Sequence, residues 1–198
     1  MSNDQAFQHE HYIFRRKVFR FFGGAFDIYD PSGNLVLHSE QKSFKLKEDM
    51  RLYSDKSKNN ELLSIKARQV LDIGATYDVT DSRSLQPVGS LRRKGLKSIF
   101  ARDEWIFLDS QGQEIGMIQE DSLFMGLVRR LVGGLAFLFP QRYTVSMGGQ
   151  PLAFFRQHFN PFVLKYDFDL SQDHDKKLDR RLAIAAGILL CAIERRQR

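Results

Sequence analysis

The sequence predicts a mainly β protein: a closed antiparallel barrel of about twelve strands around a buried hydrophobic C-terminal helix. Three observations carry this expectation. Aromatic and β-branched runs recur between turn signals at intervals of roughly 25 to 40 residues, which is the pattern of successive β-hairpins. The run from Leu182 to Ile193 is apolar around the whole circumference of a helix, so it has no face suited to water. At 1.5 Å per residue that run covers only about 18 Å, short of the roughly 20 residues a bilayer span requires, so protein must surround it. A closed sheet has no edges, and a barrel of this size leaves a lumen too wide for wall side chains alone, which an internal helix fills. Strands of five or six residues span about 17 to 20 Å, matching the helix.

The elements follow in order. Residues 1–10 are expected to fray, and the first barrel strand is expected in the run from Phe14 to Phe22. Phe26–Tyr29 and Leu35–His38 flank the turn Asp30-Pro31-Ser32-Gly33. The second hairpin pairs a strand near Leu52-Tyr53 with Leu62–Lys66, and the third pairs Tyr77–Thr80 with Val88–Arg93. Trp105–Leu108 and Glu114–Ile118 flank Asp109-Ser110-Gln111-Gly112, which repeats the Asp-x-x-Gly spacing of the first turn. Asp at the first position bonds nearby backbone N–H groups, and Gly at the last accepts a positive φ. Tyr143–Ser146 and Leu152–Phe155 flank Met147–Gln150, and a last strand is expected over Phe162–Phe168. Ser122–Leu131 has helical spacing and stops at Gly133-Gly134, and the central helix is expected over 178–195. No Pro/Ser-rich linker divides the chain, so 1–198 reads as one domain.

Composition narrows the function. A hydrophobic fraction of 42% with 27% charged residues excludes a disordered chain. The single cysteine, Cys191, falls within the apolar run, excluding an internal disulfide and fitting a reducing compartment. The N-terminus lacks the charged-then-apolar layout of a signal peptide, so a cytoplasmic location is expected. The net charge of +6 permits attraction to an anionic membrane or nucleic acid.

The quoted residues also resemble a known family. Gly24-Ala25-Phe26-Asp27-Ile28-Tyr29-Asp30-x-x-Gly33, Glu61-Leu62-Leu63-x-Ile65-Lys66, Val88-Gly89-x-Leu91-Arg92-Arg93-Lys94 and Asp103-x-Trp105-x-Phe107-Leu108-Asp109-x-x-Gly112, followed by the apolar helix, carry the likeness. The chain resembles the tubby C-terminal-like superfamily, in particular its LURP-one-related branch, with the phospholipid scramblases as more distant relatives. The resemblance implies a twelve-stranded barrel around a hydrophobic helix. Tubby-like domains bind phosphoinositides, but their lipid contacts have no aligned counterpart here, and no residue role is carried over.

Two basic patches are the candidate sites. Arg92, Arg93, Lys94 and Lys97, joined by Gly95, suit a phosphate or anionic headgroup because several donors converge where backbone can approach. The plainer reading is an exposed barrel rim that is basic for solubility. Arg15 and Arg16, within Phe14–Phe22, suit a membrane interface or single-stranded nucleic acid. Outward cations alternating with inward aromatics on a first strand explain the same letters.

The acidic run from Asp167 to Asp175 invites a calcium reading, but as an EF-hand loop it has Gln172 in place of the turn Gly and Leu178 in place of the bidentate Glu. Its plainer reading is an acidic loop leading into a helix N-terminus. Nucleophile-elbow, Walker, dinucleotide-binding and zincin motifs are absent, so no catalytic residue, metal or cofactor is expected. The expected function is a non-enzymatic module, peripheral to the inner membrane face, that binds anionic phospholipid headgroups or a protein partner. The alternatives are a nucleic-acid-binding protein and a barrel holding a lipophilic ligand.

Overall fold

The computed structural model describes residues 5–17, 25–41, 49–68, 74–94, 104–121, 140–158 and 163–193. A short 3-10 turn, Gln5–Phe7, buries Ala6 and Phe7 against the core. It leads into β1 (His11–Lys17), β2 (Ala25–Tyr29), β3 (Leu35–Gln41), β4 (Asp49–Tyr53), β5 (Glu61–Ala67) and β6 (Thr76–Asp81). Then come β7 (Pro87–Arg93), β8 (Glu104–Leu108), β9 (Glu114–Glu120), β10 (Arg142–Met147), β11 (Gln150–His158) and β12 (Val163–Asp169), and finally the helix α1 (Arg180–Ile193).

Every strand pairs antiparallel with its neighbours in sequence, and β12 pairs with β1 to close the barrel. All seven residues of β1 take part in that closure, from His11 opposite Asp169 to Lys17 opposite Val163. The expected hairpins are present, with ends displaced by a few residues. The expected helix at Ser122–Leu131 lies outside the described residues.

The turns form for the reasons their residues supply. Asp30 accepts the N–H of Asn34 at 2.8 Å, Asp109 accepts those of Gln111 and Gln113 at 2.9 Å, and Gly33 and Gly112 adopt φ of 86° and 83°. Five hairpins also carry a register irregularity close to their turns, at Ile28/Tyr29, Leu52/Tyr53, Val79/Thr80, Phe107/Leu108 and Val145/Ser146. Each such irregularity bends its strand and raises the local twist, so the sheet curls at one end of the barrel.

The lumen is occupied by α1. Every side chain described from Leu182 to Ala192 is at most 7% exposed. Strand periodicity turns Tyr12, Phe14, Phe107, Tyr143, Phe155 and Phe168 inward, all fully buried. Phe155 meets Phe14 and Phe168 edge to face with ring centres 5.4 Å apart. The helix approaches this wall closely because residue 187 is glycine: a Cβ there would lie 2.8 Å from Phe14 Cζ and 3.3 Å from Phe155 Cε2.

Charged residues fix the helix N-terminus. Asp173 accepts the N–H groups of Lys177 and Leu178 and pairs with Arg180 at 2.6 Å, satisfying donors that precede the helix. Asp179 accepts the N–H of Arg181 at 2.9 Å as the helix cap. Arg181 reaches Asp81 at the end of β6 at 2.9 Å, joining helix to wall. Of the acidic run considered for calcium, Asp173 thus serves to position the helix.

Candidate functional site

The alternation of strand directions defines two ends. Arg15 and Arg16 on β1, and Arg92 and Arg93 on β7, lie toward the end where odd-numbered strands finish, with Lys94 just beyond β7. They share an end but not a wall. β1 and β7 are six strands apart in either direction around the closed order, which in a twelve-stranded barrel places them across a diameter of about 24 Å. No single small anion can touch both patches, whereas a flat surface across that end can.

The cations of the β7 patch are engaged. Arg92 pairs with Glu114, and Lys94 Nζ lies 2.7 Å from Glu104. Arg93 points inward, only 5% exposed, with its guanidinium 5.9 Å from the centre of the Trp105 ring. Strand alternation explains the split: adjacent residues face opposite sides of a sheet, so Arg92 is outside and Arg93 inside with Leu91. Lys97 lies outside the described residues.

On β1 the same rule separates Arg15 from Arg16. Arg15 is exposed, its guanidinium 4.9 Å from the Tyr29 ring centre, while Arg16 stacks 5.1 Å from buried Phe26. The inward turn of Arg16 departs from the expected pattern of outward cations. The remainder of the aromatic and basic run, 18–22, lies outside the described residues.

A cleft of about 400 Å³ opens beside Arg15, lined also by Asp27, His38, Glu40, Lys56 and Lys58. Register aligns Arg15 with Asp27 and Asp27 with His38, so the three form one row across β1, β2 and β3 on the outer face. His38 Nδ1 lies 2.8 Å from Asp27 Oδ1, and Lys56 Nζ lies 2.8 Å from Asp27 Oδ2. Burial pushes the Asp27 carboxyl upward, but Lys56 and His38 together outweigh burial and hold it below the ordinary carboxylate range. Lys58 pairs with Glu40 at 2.7 Å.

The sequence signalled none of His38, Lys56 or Lys58, because the cleft is assembled from three strands and the β4–β5 connection. A second cleft, about 430 Å³, lies on the neighbouring wall against Ile13, Phe154, Arg156 and Asp167. Among the described residues no group of three or more His, Cys, Asp or Glu is placed to hold a metal ion. No described helix is long and apolar enough to cross a membrane.

The two ends differ in sequence. The connections 30–34, 54–60, 82–86, 109–113, 148–149 and 170–179 contain no Phe, Tyr or Trp and have five Lys and Arg against six Asp and Glu. The connections that follow the odd-numbered strands, 18–24, 42–48, 68–75, 94–103, 121–141 and 159–162, together with residues 194–198 after the helix, hold ten of the 17 phenylalanines. They also have thirteen Lys and Arg against five Asp and Glu, an excess larger than the +6 of the whole chain.

No curated protein and no solved structure matches the chain. The family model described as LURP-one-related matches residues 36–191, from β3 into α1. With the twelve-stranded barrel and its central helix already in view, that match over most of the sequence makes the chain a member of the LURP-one-related family.

Proposed function

We propose that the chain is a non-enzymatic barrel module that associates peripherally with an anionic membrane surface, at the inner face, through the end where its odd-numbered strands finish. The observation that supports this reading is the unequal distribution of residues between the two sets of connections, one polar and near neutral, the other basic and rich in phenylalanine. Aromatic side chains favour the headgroup boundary, and each basic residue near an anionic leaflet contributes about 1 kcal/mol. Lys94 belongs to this end, as do Arg92 and Arg93, and Lys97 follows three residues later in the sequence; a planar surface reaches both the β7 and β1 walls without requiring one compact site.

Vesicle co-sedimentation tests the reading. The full chain should pellet with vesicles containing phosphatidylserine and not with pure phosphatidylcholine. Lys94→Glu with Lys97→Glu should weaken that association, while Lys177→Glu at the opposite end should leave it unchanged. Equal binding to both vesicle types overturns the reading. Strong salt-dependent retention on DNA or RNA, with none on vesicles, replaces it with nucleic-acid binding. The close approach of Gly187 to Phe14 and Phe155 leaves no open space for a lipophilic ligand on that side of the helix.

A further inference from the structure

The outer wall formed by β10, β11, β12 and β1 carries positive charge that its own contacts do not absorb. Register sets Arg142 directly opposite Arg156, and Lys165 directly opposite Arg15. Like charges facing one another across paired strands destabilise a sheet, so barrel stability accounts for neither pair. The two carboxylates on these strands are already engaged: Asp167 with His158 and with Lys165 at 3.7 Å, and Asp169 with His11 at 3.4 Å. Arg156 stands opposite Asp167 in register without pairing to it. Both Arg142 and Arg156 are exposed, and among the described residues neither side chain has a hydrogen bond or ion pair.

Beside these arginines the same wall is apolar. The cleft of about 430 Å³ is bounded by Phe154 on β11, Ile13 on β1 and Pro31 in the β2–β3 turn, with Arg156 among its lining residues. Phe154 is 38% exposed, one of three large hydrophobic side chains that the described residues leave outside. Strand alternation puts Phe154 and Arg156 on the same outer face, two residues and about 7 Å apart along β11. That spacing matches the distance between side chains on one face of an extended peptide.

We propose that this wall is a docking surface for an acidic peptide segment of a partner protein. The segment lays an apolar side chain between Phe154 and Ile13 and directs carboxylates at Arg156 and Arg142. A carboxylate accepts two parallel N–H groups from a guanidinium, and charge complementarity selects an acidic partner over a neutral or basic one. Arg142, Lys165 and Arg15 lie toward the end proposed to meet the membrane, but the apolar contact does not. Phe154 is four residues back from the end of β11, about 13 Å along the strand, and faces sideways from the barrel. Peripheral segments sink about 5 to 10 Å into the headgroup boundary, so a bilayer laid across that end leaves Phe154 unused. A peptide running along the wall uses both the ring and the arginines.

Selection from a phage-displayed random peptide library on the immobilised full chain tests the proposal. Enriched peptides should combine Asp or Glu with an aromatic or aliphatic residue, and a fluorescein-labelled copy of the most enriched one should bind saturably in fluorescence anisotropy. Arg156→Gln should weaken that binding about tenfold, the loss expected of an interface anchor, and Phe154→Ser by a similar factor. Arg92→Gln on β7 should leave it unchanged, and sodium chloride should weaken it. Phe154→Ser should also retain association with phosphatidylserine vesicles. No enrichment, enriched peptides without net negative charge, or equal affinity in wild type, Arg156→Gln and Phe154→Ser when all have native circular dichroism, overturns the proposal. So does loss of vesicle association in Phe154→Ser, which assigns the wall to the bilayer. Retention of single-stranded nucleic acid that Arg156→Gln abolishes, with no acidic peptide enriched, overturns it too.

Discussion

Replacing Gly187 with alanine separates two opposing effects of known size. In an exposed helix interior the change is stabilising by about 1 kcal/mol, because alanine loses less backbone freedom. Here the new Cβ lies 2.8 Å from Phe14 Cζ and 3.0 Å from Cε1, so the ring must retreat about 0.6 Å to reach an ordinary 3.4 Å contact. Phe14 cannot retreat freely, being packed edge to face against Phe155 at 5.4 Å and Phe168 at 6.2 Å. Overpacking a filled core costs about 1 to 3 kcal/mol.

The expected net effect is between no change and about 2 kcal/mol of destabilisation. In a Phe14→Leu background the obstructing ring edge is gone, and Gly187→Ala should then stabilise by about 1 kcal/mol. Urea unfolding followed by Trp105, the single tryptophan and a buried one, gives the midpoints for all four proteins. A coupling of about 1 to 3 kcal/mol is expected. If Gly187→Ala stabilises both backgrounds equally, to within about 0.5 kcal/mol, the tight helix–wall contact is refuted.

Other perturbations follow from the same contacts. Asp173→Ala should destabilise by about 3 to 5 kcal/mol in urea, since it strands the nearly buried Arg180 guanidinium without a partner. For Asp81, burial raises the carboxyl pKa, but the N–H groups of Ser84 and Arg83 and the guanidinium of Arg181 outweigh it and leave it lowered. Asp27, Asp30, Asp78 and Asp169 are lowered too. A depressed folded pKa gives stability that is complete above the unfolded value near 4 and lost as pH falls through the folded one, so the urea midpoint should hold above about pH 5 and drop below about pH 4. Asp81→Asn should flatten part of that drop. Gly33→Ala and Gly112→Ala, at φ of 86° and 83°, should each lower thermal stability by about 1 kcal/mol or more, whereas the same change at an exposed position with negative φ should not.

The parts of the fold that were legible in the sequence are those with local causes. Asp30 and Asp109 bond the backbone of their own turns, and the apolar run into Ile193 needs no partner to declare itself buried. The bulges near Tyr29, Tyr53, Thr80, Leu108 and Ser146 left no mark, because they depend on how two strands meet at a curling rim. Arg92, Arg93 and Lys94 read as one basic patch because they are adjacent in the chain. Adjacency in a strand means opposite faces, and Arg93 went to Trp105 while Arg92 went to Glu114. The wall cleft was invisible for the converse reason: Arg15, Asp27, His38 and Lys56 are neighbours only after four elements have paired.

Closure between β1 and β12 also governs when the molecule can fold. A ribosome delivers His11 early and Asp169 late, and the helix that fills the lumen is not complete until Ile193 has been made. Until then the inward rings of Tyr12, Phe14 and Phe107 have neither a closed wall nor a filling. The growing chain thus exposes its stickiest face for nearly the whole of synthesis, the condition under which an incomplete barrel is prone to aggregate until its last strand and helix emerge.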